Sequence, residues 1–171
     1  FPRFDQALHV NPGYAQLHDW LIPQTWPPTP ANEAALQNWV EQHGKAAFQQ
    51  AVSGGQHSHP EGLFFSGLEP TWSHITLRQV LRTHAADARH VGWIDLHTGL
   101  GPSGVGERIF ACKDDAAALE RTRAWWGSDA TPITSIYDGS STSARLTGLM
   151  WSAVEEECPQ AHYTGIALEY G

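Results

Sequence analysis

The feature that most constrains the fold is a short apolar run from Val91 to Leu96, which ends at a histidine and a glycine-rich turn. A continuous apolar segment of this length predicts a strand that is buried on both faces. Side chains alternate between the two faces of a strand, so Asp95 and His97 point to one face and Thr98 points to the other. The run therefore brings a carboxylate and an imidazole side by side at the carboxyl end of a strand.

This pair of side chains predicts a ligand site. Ligands of open α/β sheets bind in the crevice beyond the carboxyl ends of the strands. An imidazole that is held by nearby polar groups suits a metal ligand, and the neighbouring carboxylate suits an orienting role. The alternative is a histidine that ends a strand and forms only local hydrogen bonds. Spacing alone leaves both interpretations open, because motifs this short often match by chance.

The rest of the chain predicts alternating helices and strands. Such alternation favours an α/β fold with a mixed, mostly parallel sheet and helices on both faces, in one domain over residues 1–171. An Asp114-Asp115 pair is expected to cap one of the helices, because its negative charge matches the positive helix start. Helices are predicted over residues 14–22, about 32–52, 73–88, 116–126 and 146–158, and strands over 91–96, 107–112, 133–137 and 163–170.

The composition limits the classes of partner that the chain is expected to bind. The 171 residues are 41% hydrophobic, which is enough for one domain with a core. A net charge of −8 with ten Lys and Arg argues against a nucleic-acid partner. The sequence has no apolar run long enough to span a membrane and no recognisable signal peptide. Cys112 and Cys158 are too few for a disulfide scaffold or a thiolate metal site, so the default location is cytoplasmic.

Two other polar features stand out. His57 and His59 lie in a polar loop and could clamp a metal, although a solvated loop is the favoured interpretation. Glu169 comes near the end of the otherwise apolar last strand, and burial of an ionised carboxylate is costly without a partner. Glu169 either faces water at the exit of the strand or serves as a general base beside a metal.

Three segments, in order, resemble zinc carboxypeptidase-like hydrolases. Asp-Leu-His-Thr-Gly-Leu-Gly at 95–101 is similar to the segment that supplies a histidine ligand, and its Asp-Leu-His triplet also occurs in the related succinylglutamate desuccinylase and aspartoacylase group. Leu-Glu-Tyr-Gly at 168–171 resembles the segment with the catalytic glutamate. The stretch 62–73, with Gly-Leu-Phe and Pro-Thr-Trp-Ser, completes the resemblance, which is strongest to a bacterial carboxypeptidase-like family of unknown function and covers the chain from about residue 1.

The resemblance implies a partial carboxypeptidase-like (phosphorylase/hydrolase-like) domain and a mechanism. His97 would bind zinc, which polarises a scissile carbonyl and acidifies a bound water. Glu169 would take the proton of that water and return it to the leaving amine, and Asp95 would hold His97 or lie close to the metal. The substrate would be a peptide or an N-acyl amino acid. Residues that could line the cleft are Thr98, Glu107, Arg108 and Tyr137, although an exposed ion pair is the favoured role for Glu107 and for Arg108.

The sequence also departs from the superfamily pattern. The His-x-x-Glu motif that carries the other two ligands is absent, and so is the Asn-Arg substrate clamp expected just upstream of Phe1. The nearest mimic, His84-Ala85-Ala86-Asp87, falls on a predicted helix and out of order. Since a catalytic zinc needs three protein ligands, we expect this chain to be the carboxyl-terminal portion of a larger catalytic domain, inactive and without zinc by itself. Its partner would be the missing amino-terminal part of that domain.

Three hypotheses follow for the function. The leading one is a zinc-dependent hydrolase of amide bonds in the intact protein, either a peptidase or a deacylase of N-acyl amino acids. The second is a non-catalytic binding module that retains the fold without a working metal site. The third is an unrelated stand-alone α/β domain, which would require His97 and Glu169 to lie far apart.

Overall fold

The computed structural model describes residues 3–99 and 101–171, in two units: an amino-terminal unit, residues 3–71, and a carboxyl-terminal unit, residues 72–99 and 101–171. The prediction of a single domain that belongs to a larger one stays a prediction. None of the described helices is long and apolar enough to cross a membrane. The elements are α1 (Pro12–Leu21), α2 (Pro30–His43) and α3 (Lys45–Ser53) in the first unit, and α4 (Trp72–His84), β1 (His90–Thr98), β2 (Gly106–Phe110), α5 (Ala116–Trp126), β3 (Ile133–Thr134), α6 (Ser152–Glu157) and β4 (His162–Tyr170) in the second.

The amino-terminal unit packs three helices around one apolar cluster. Leu17, Trp39 and Ala51, one from each helix, form its buried centre. The prediction of one helix over 32–52 is wrong, because Gly44 adopts a φ of +87° that a helix interior does not allow. The backbone N–H of Gly44 closes α2 on the carbonyl of Val40, and the chain then begins α3.

The sheet of the carboxyl-terminal unit has the strand order β1-β4-β2-β3. β1 pairs with β4 and β2 with β3 in parallel, whereas β2 and β4 are antiparallel. Thr164 of β4 shares a hydrogen bond with Thr122 of α5, while its neighbour Tyr163 joins a core cluster with Leu81 of α4 and Val154 of α6. Because neighbouring residues of a strand point to opposite faces, helices cover both faces. The predicted α/β class and the mixed, mostly parallel sheet are confirmed.

β1 is not the buried strand that its apolar run predicts. It forms an edge of the described sheet, and the side chains of Ile94 and Leu96 are 49% and 71% exposed. On their face of the sheet, Trp125 and Trp126 at the end of α5 reach Gly92. Farther along β1 the described residues provide no such cover. Apolar side chains that are typical of a strand covered on both faces are therefore partly exposed to solvent.

Other boundaries differ because of local backbone chemistry. The helix predicted over 146–158 shortens to α6, and Gly148 within the lost part has a φ of +68°, outside the helical region. β2 and β3 are likewise shorter than predicted. The predicted cap of α5 is confirmed, because the carboxylate of Asp115 accepts a hydrogen bond from the backbone N–H of Ala118 at 2.8 Å.

An ion-pair network joins α4 to the end of α6. Arg82 donates from Nε and Nη2 to the two carboxylate oxygens of Glu157, and Arg78 donates from Nη1 to Glu157 Oε1 at 2.8 Å. The hydrogen bonds from Arg82 are the largest cause that lowers the pKa of Glu157. The side chains of Glu157 and Arg78 are each only 12% exposed, so solvent screens this pair less than an ordinary surface pair, whereas Arg82 is mostly exposed.

We predict that Glu157→Gln lowers the free energy of unfolding by about 1–2 kcal/mol, because the charge that holds both arginines is lost while Arg78 keeps its pair with Glu156. Urea-induced unfolding followed by circular dichroism measures this change. The matched control is Glu120→Gln, whose exposed pair with Arg123 should contribute less than about 0.5 kcal/mol. Equal losses in the two variants would contradict a special role for the network.

Candidate functional site

The parallel pairing of β1 and β4 brings the two strongest sequence candidates together. His97 and Glu169 are register partners, so their side chains lie on the same face of the sheet. The Nδ1 atom of His97 is 3.7 Å from Oε1 of Glu169, and its Nε2 atom is 3.1 Å from Oδ2 of Asp95. One imidazole thus lies between two carboxylates at the carboxyl ends of two strands. The separation that the third hypothesis required is not observed.

The imidazole and the carboxylate differ in their access to solvent. The side chain of His97 is 43% exposed, whereas that of Glu169 is 14% exposed. Gly99 causes part of this shielding, because a Cβ atom at that position would stand 2.7 Å from Oε2 of Glu169. The site therefore offers a reachable nitrogen beside a carboxylate that is held close to the backbone.

A third carboxylate, that of Glu107, lies beside Glu169 on the next strand of the sheet. Glu107 is the register partner of Glu169 in the antiparallel pair of β2 and β4. Its Oε1 atom accepts hydrogen bonds from Thr134 Oγ1 at 2.6 Å and from the backbone N–H of Thr142 at 3.3 Å, and its Oε2 atom accepts one from Thr142 Oγ1. Burial raises the pKa of Glu107, but the hydrogen bonds together outweigh burial and the net pKa is lowered. Hydrogen bonds therefore hold Glu107 as a carboxylate, so it does not need the exposed ion pair that the sequence favoured for it.

Ser143 belongs to the site, although no sequence pattern points to it. Ser143 donates from Oγ to Oε1 of Glu169 at 3.2 Å. It ends the loop at residues 138–143, whose only sequence signal is a run of hydroxyl residues after Asp138-Gly139. The run predicts a turn, but it does not tell which strand the turn contacts.

Three other predicted cleft residues make contacts elsewhere. Arg108 donates from Nη1 to the carbonyl of Trp126 at 2.7 Å and to Thr131 Oγ1 at 2.5 Å, on the face of β2 opposite to Glu107. Tyr137 donates to the carbonyl of Cys112 at 3.0 Å, and burial raises its pKa to about 12. Thr98 is exposed, on the face opposite to His97. The cleft-lining role of all three stays a prediction.

Metal ligation needs several converging donors. Across residues 3–99 and 101–171, no group of three or more His, Cys, Asp or Glu side chains is arranged to hold a metal ion. His57 donates from Nδ1 to the carbonyl of Gly67, and His59 bonds through Nδ1 to Ser58 Oγ, so the two have separate partners. At the carboxyl ends of β1 and β4, the described side chains supply one imidazole, that of His97. The expectation that the chain by itself lacks zinc stays a prediction.

The two cysteines are structural. Both Cys112 and Cys158 are buried and free. Burial raises the pKa of the Cys112 thiol to about 11, so the reactive thiolate is scarce at neutral pH.

Comparison with known proteins identifies one family. Its model, described as "Protein of unknown function (DUF2817)", matches residues 1–171. No curated protein matches the chain, and no solved structure does.

The contact between Gly99 and Glu169 generates a prediction. We expect Gly99→Ala to lower the free energy of unfolding by about 1–3 kcal/mol, because the new methyl group displaces the Glu169 side chain. The matched control is Gly92→Ala on the same strand, where a Cβ atom would stand in ordinary contact, 3.5 Å from Trp126. That control should change stability by less than about 1 kcal/mol. Chemical denaturation of both variants checks the prediction, and a neutral Gly99→Ala would contradict the packing described here.

Proposed function

We propose that this chain, which belongs to the DUF2817 family of proteins of unknown function, is the carboxyl-terminal portion of a zinc-dependent hydrolase of amide bonds. The observation that carries the proposal is the side-by-side placement of His97 and Glu169 on neighbouring parallel strands. These residues come from the two segments that resemble the histidine-ligand and catalytic-glutamate segments of zinc carboxypeptidase-like enzymes. Two chance resemblances, far apart in sequence, would have no reason to meet at adjacent positions of one sheet.

His97 suits the part of a metal ligand. Asp95 lies at its Nε2 atom, and a carboxylate there fixes the orientation of the ring. The Nδ1 atom then remains as the nitrogen available to a metal, on the side where Glu169 lies. A catalytic zinc takes three protein ligands, and the described residues fit one of these positions. The remaining ligands would come from the missing amino-terminal part of the domain.

Glu169 suits the part of a general base. When bound, zinc would supply a Lewis acid for the scissile carbonyl. The Glu169 carboxylate would accept a proton from the attacking water and deliver it to the nitrogen of the leaving amine. Its position favours this role, because its Oε1 atom lies 3.7 Å from the imidazole of His97, the proposed metal ligand. A peptide or an N-acyl amino acid is the substrate class that this chemistry serves.

The test uses the full-length polypeptide. We predict about one zinc ion per full-length wild-type molecule, less than about a tenth of that in His97→Ala, and full zinc content in Glu169→Gln. Hydrolysis of a panel of short peptides and N-acetyl amino acids should be lost in both variants, by about 100-fold or more. Elemental analysis gives the zinc content, and an amine-release assay gives the hydrolysis rate.

The two variants separate the two roles. Equal zinc content in wild type and His97→Ala would contradict the ligand assignment, and undiminished turnover by Glu169→Gln would contradict its role as base. If the full-length protein binds no zinc and turns over no member of the panel, this result would instead favour the non-catalytic binding module. The chain of 171 residues serves as the comparison, and we expect it to retain no zinc after purification.

A further inference from the structure

The loop at residues 138–143 forms hydrogen bonds with two carboxylates, Glu107 and Glu169, which lie side by side on β2 and β4. Thr142 binds Glu107 through its hydroxyl and its backbone N–H, and the next residue, Ser143, donates to Glu169 Oε1. The two carboxylates are register partners on neighbouring strands, and two consecutive residues of one loop donate hydrogen bonds to them. The position of Ser143 therefore depends on how firmly Thr142 is held.

Hydrogen bonds within the loop leave it little freedom. Asp138 Oδ1 accepts from the backbone N–H and the hydroxyl of Ser140, at 2.9 and 2.6 Å. The same hydroxyl accepts from the backbone N–H of Ser135, and the backbone N–H of Ser141 donates to the carbonyl of Ser135. Ser141 in turn accepts from the backbone N–H of Ser143 at 3.0 Å. The loop is a hydrogen-bonded unit, and its attachment to β2 is the Glu107 carboxylate.

Glu169 is held from two sides. Its Oε2 atom lies against Gly99, and its Oε1 atom receives the hydroxyl of Ser143 while standing 3.7 Å from the imidazole of His97. The terminal torsion of a glutamate is soft, so a carboxylate with one free side would rotate. The hydroxyl of Ser143 stops this rotation with Oε1 turned toward His97.

We propose that Glu107, Thr142 and Ser143 are positioning residues, which fix the carboxylate of Glu169 in the orientation that proton transfer needs. This inference rests on the proposed function, because it assigns the residues that aim its base. Glu107 therefore lies behind the loop as its anchor and does not line the cleft. A carboxylate suits this place, since its two oxygens accept the three hydrogen bonds from Thr134 and Thr142.

The first experiment uses the chain of 171 residues and does not depend on activity. At fixed neutral pH, carbon-13 NMR follows the carboxyl resonances of Glu107 and Glu169. Thr142→Val removes the hydroxyl that donates to Glu107 Oε2 and keeps every formal charge. We expect Thr142→Val to move both resonances, and the conservative Thr142→Ser to leave both at their wild-type positions.

Ser143 provides a matched pair at the other end of the loop. Ser143→Ala should move the Glu169 resonance and leave that of Glu107 in place, whereas Ser143→Thr keeps a hydroxyl and should restore the wild-type Glu169 resonance. This pair decides the question alone if Thr142→Val fails to fold, which circular dichroism shows. A Glu169 resonance that is unchanged in Ser143→Ala would overturn the proposal, as would one unchanged in a folded Thr142→Val.

The second experiment measures catalysis in the full-length protein, with the peptide or N-acetyl amino acid that its wild type hydrolyses. A mispositioned base slows the chemical step, so Ser143→Ala and Thr142→Val should lower kcat by about tenfold or more. Their KM should stay within about twofold of wild type and their zinc content should be unchanged, because neither residue binds substrate or metal. Ser143→Thr and Thr142→Ser should restore kcat.

The two experiments fail separately. If the full-length protein hydrolyses nothing, the proposed function falls, and the NMR shifts still report whether the loop holds Glu169. If the enzyme is active and both alanine and valine variants keep the wild-type kcat, the positioning role is overturned while the hydrolase stands. If Ser143→Ala and Thr142→Val lose thermal stability as well as kcat, and Ser143→Thr and Thr142→Ser restore neither, these residues have a structural role only.

Discussion

The parallel register between β1 and β4 is the constraint on which the rest of the site depends. It places His97 directly beside Glu169 and leaves Asp95 on the same face, two residues before the histidine. Because side chains alternate along a strand, a shift of one residue in either strand would turn the imidazole or the carboxylate to the opposite face. Buried neighbours farther along the strands resist such a shift, since Tyr163 and Ile166 of β4 are packed on opposite sides of the sheet.

Around this pair, hydroxyl groups and an imidazole contact the described carboxylates, in place of salt bridges with lysine or arginine. His97 lies between two carboxylates, Glu169 is held by a serine hydroxyl and a glycine, and Glu107 is held by two threonines. Hydroxyl groups can hold a carboxylate by hydrogen bonds without placing an opposite charge beside it. Cationic side chains of the same unit are used elsewhere, as Arg78 and Arg82 are on Glu157.

Much of this arrangement follows from local sequence, and the rest depends on long-range pairing. Apolar runs predict β1 and β4, and alternation predicts that Asp95 and His97 share a face. No local pattern tells which strand lies beside which. The pairing of Glu107 with Glu169 and the contact of Ser143 with Glu169 could therefore not be predicted. The predicted burial of β1 failed for the same reason, because an apolar run cannot tell an edge strand from a central one. Gly44 shows a smaller limit, since helical periodicity continued across a residue whose φ ends the helix.

Anomalous scattering at the zinc edge, from crystals of the full-length protein, tests the central claim most directly. The account predicts one strong peak about 2.1 Å from Nδ1 of His97, with the carboxylate of Glu169 nearby but outside bonding distance of the metal. A zinc peak that lies away from His97, or one bound to Glu169 with His97 turned aside, would contradict it.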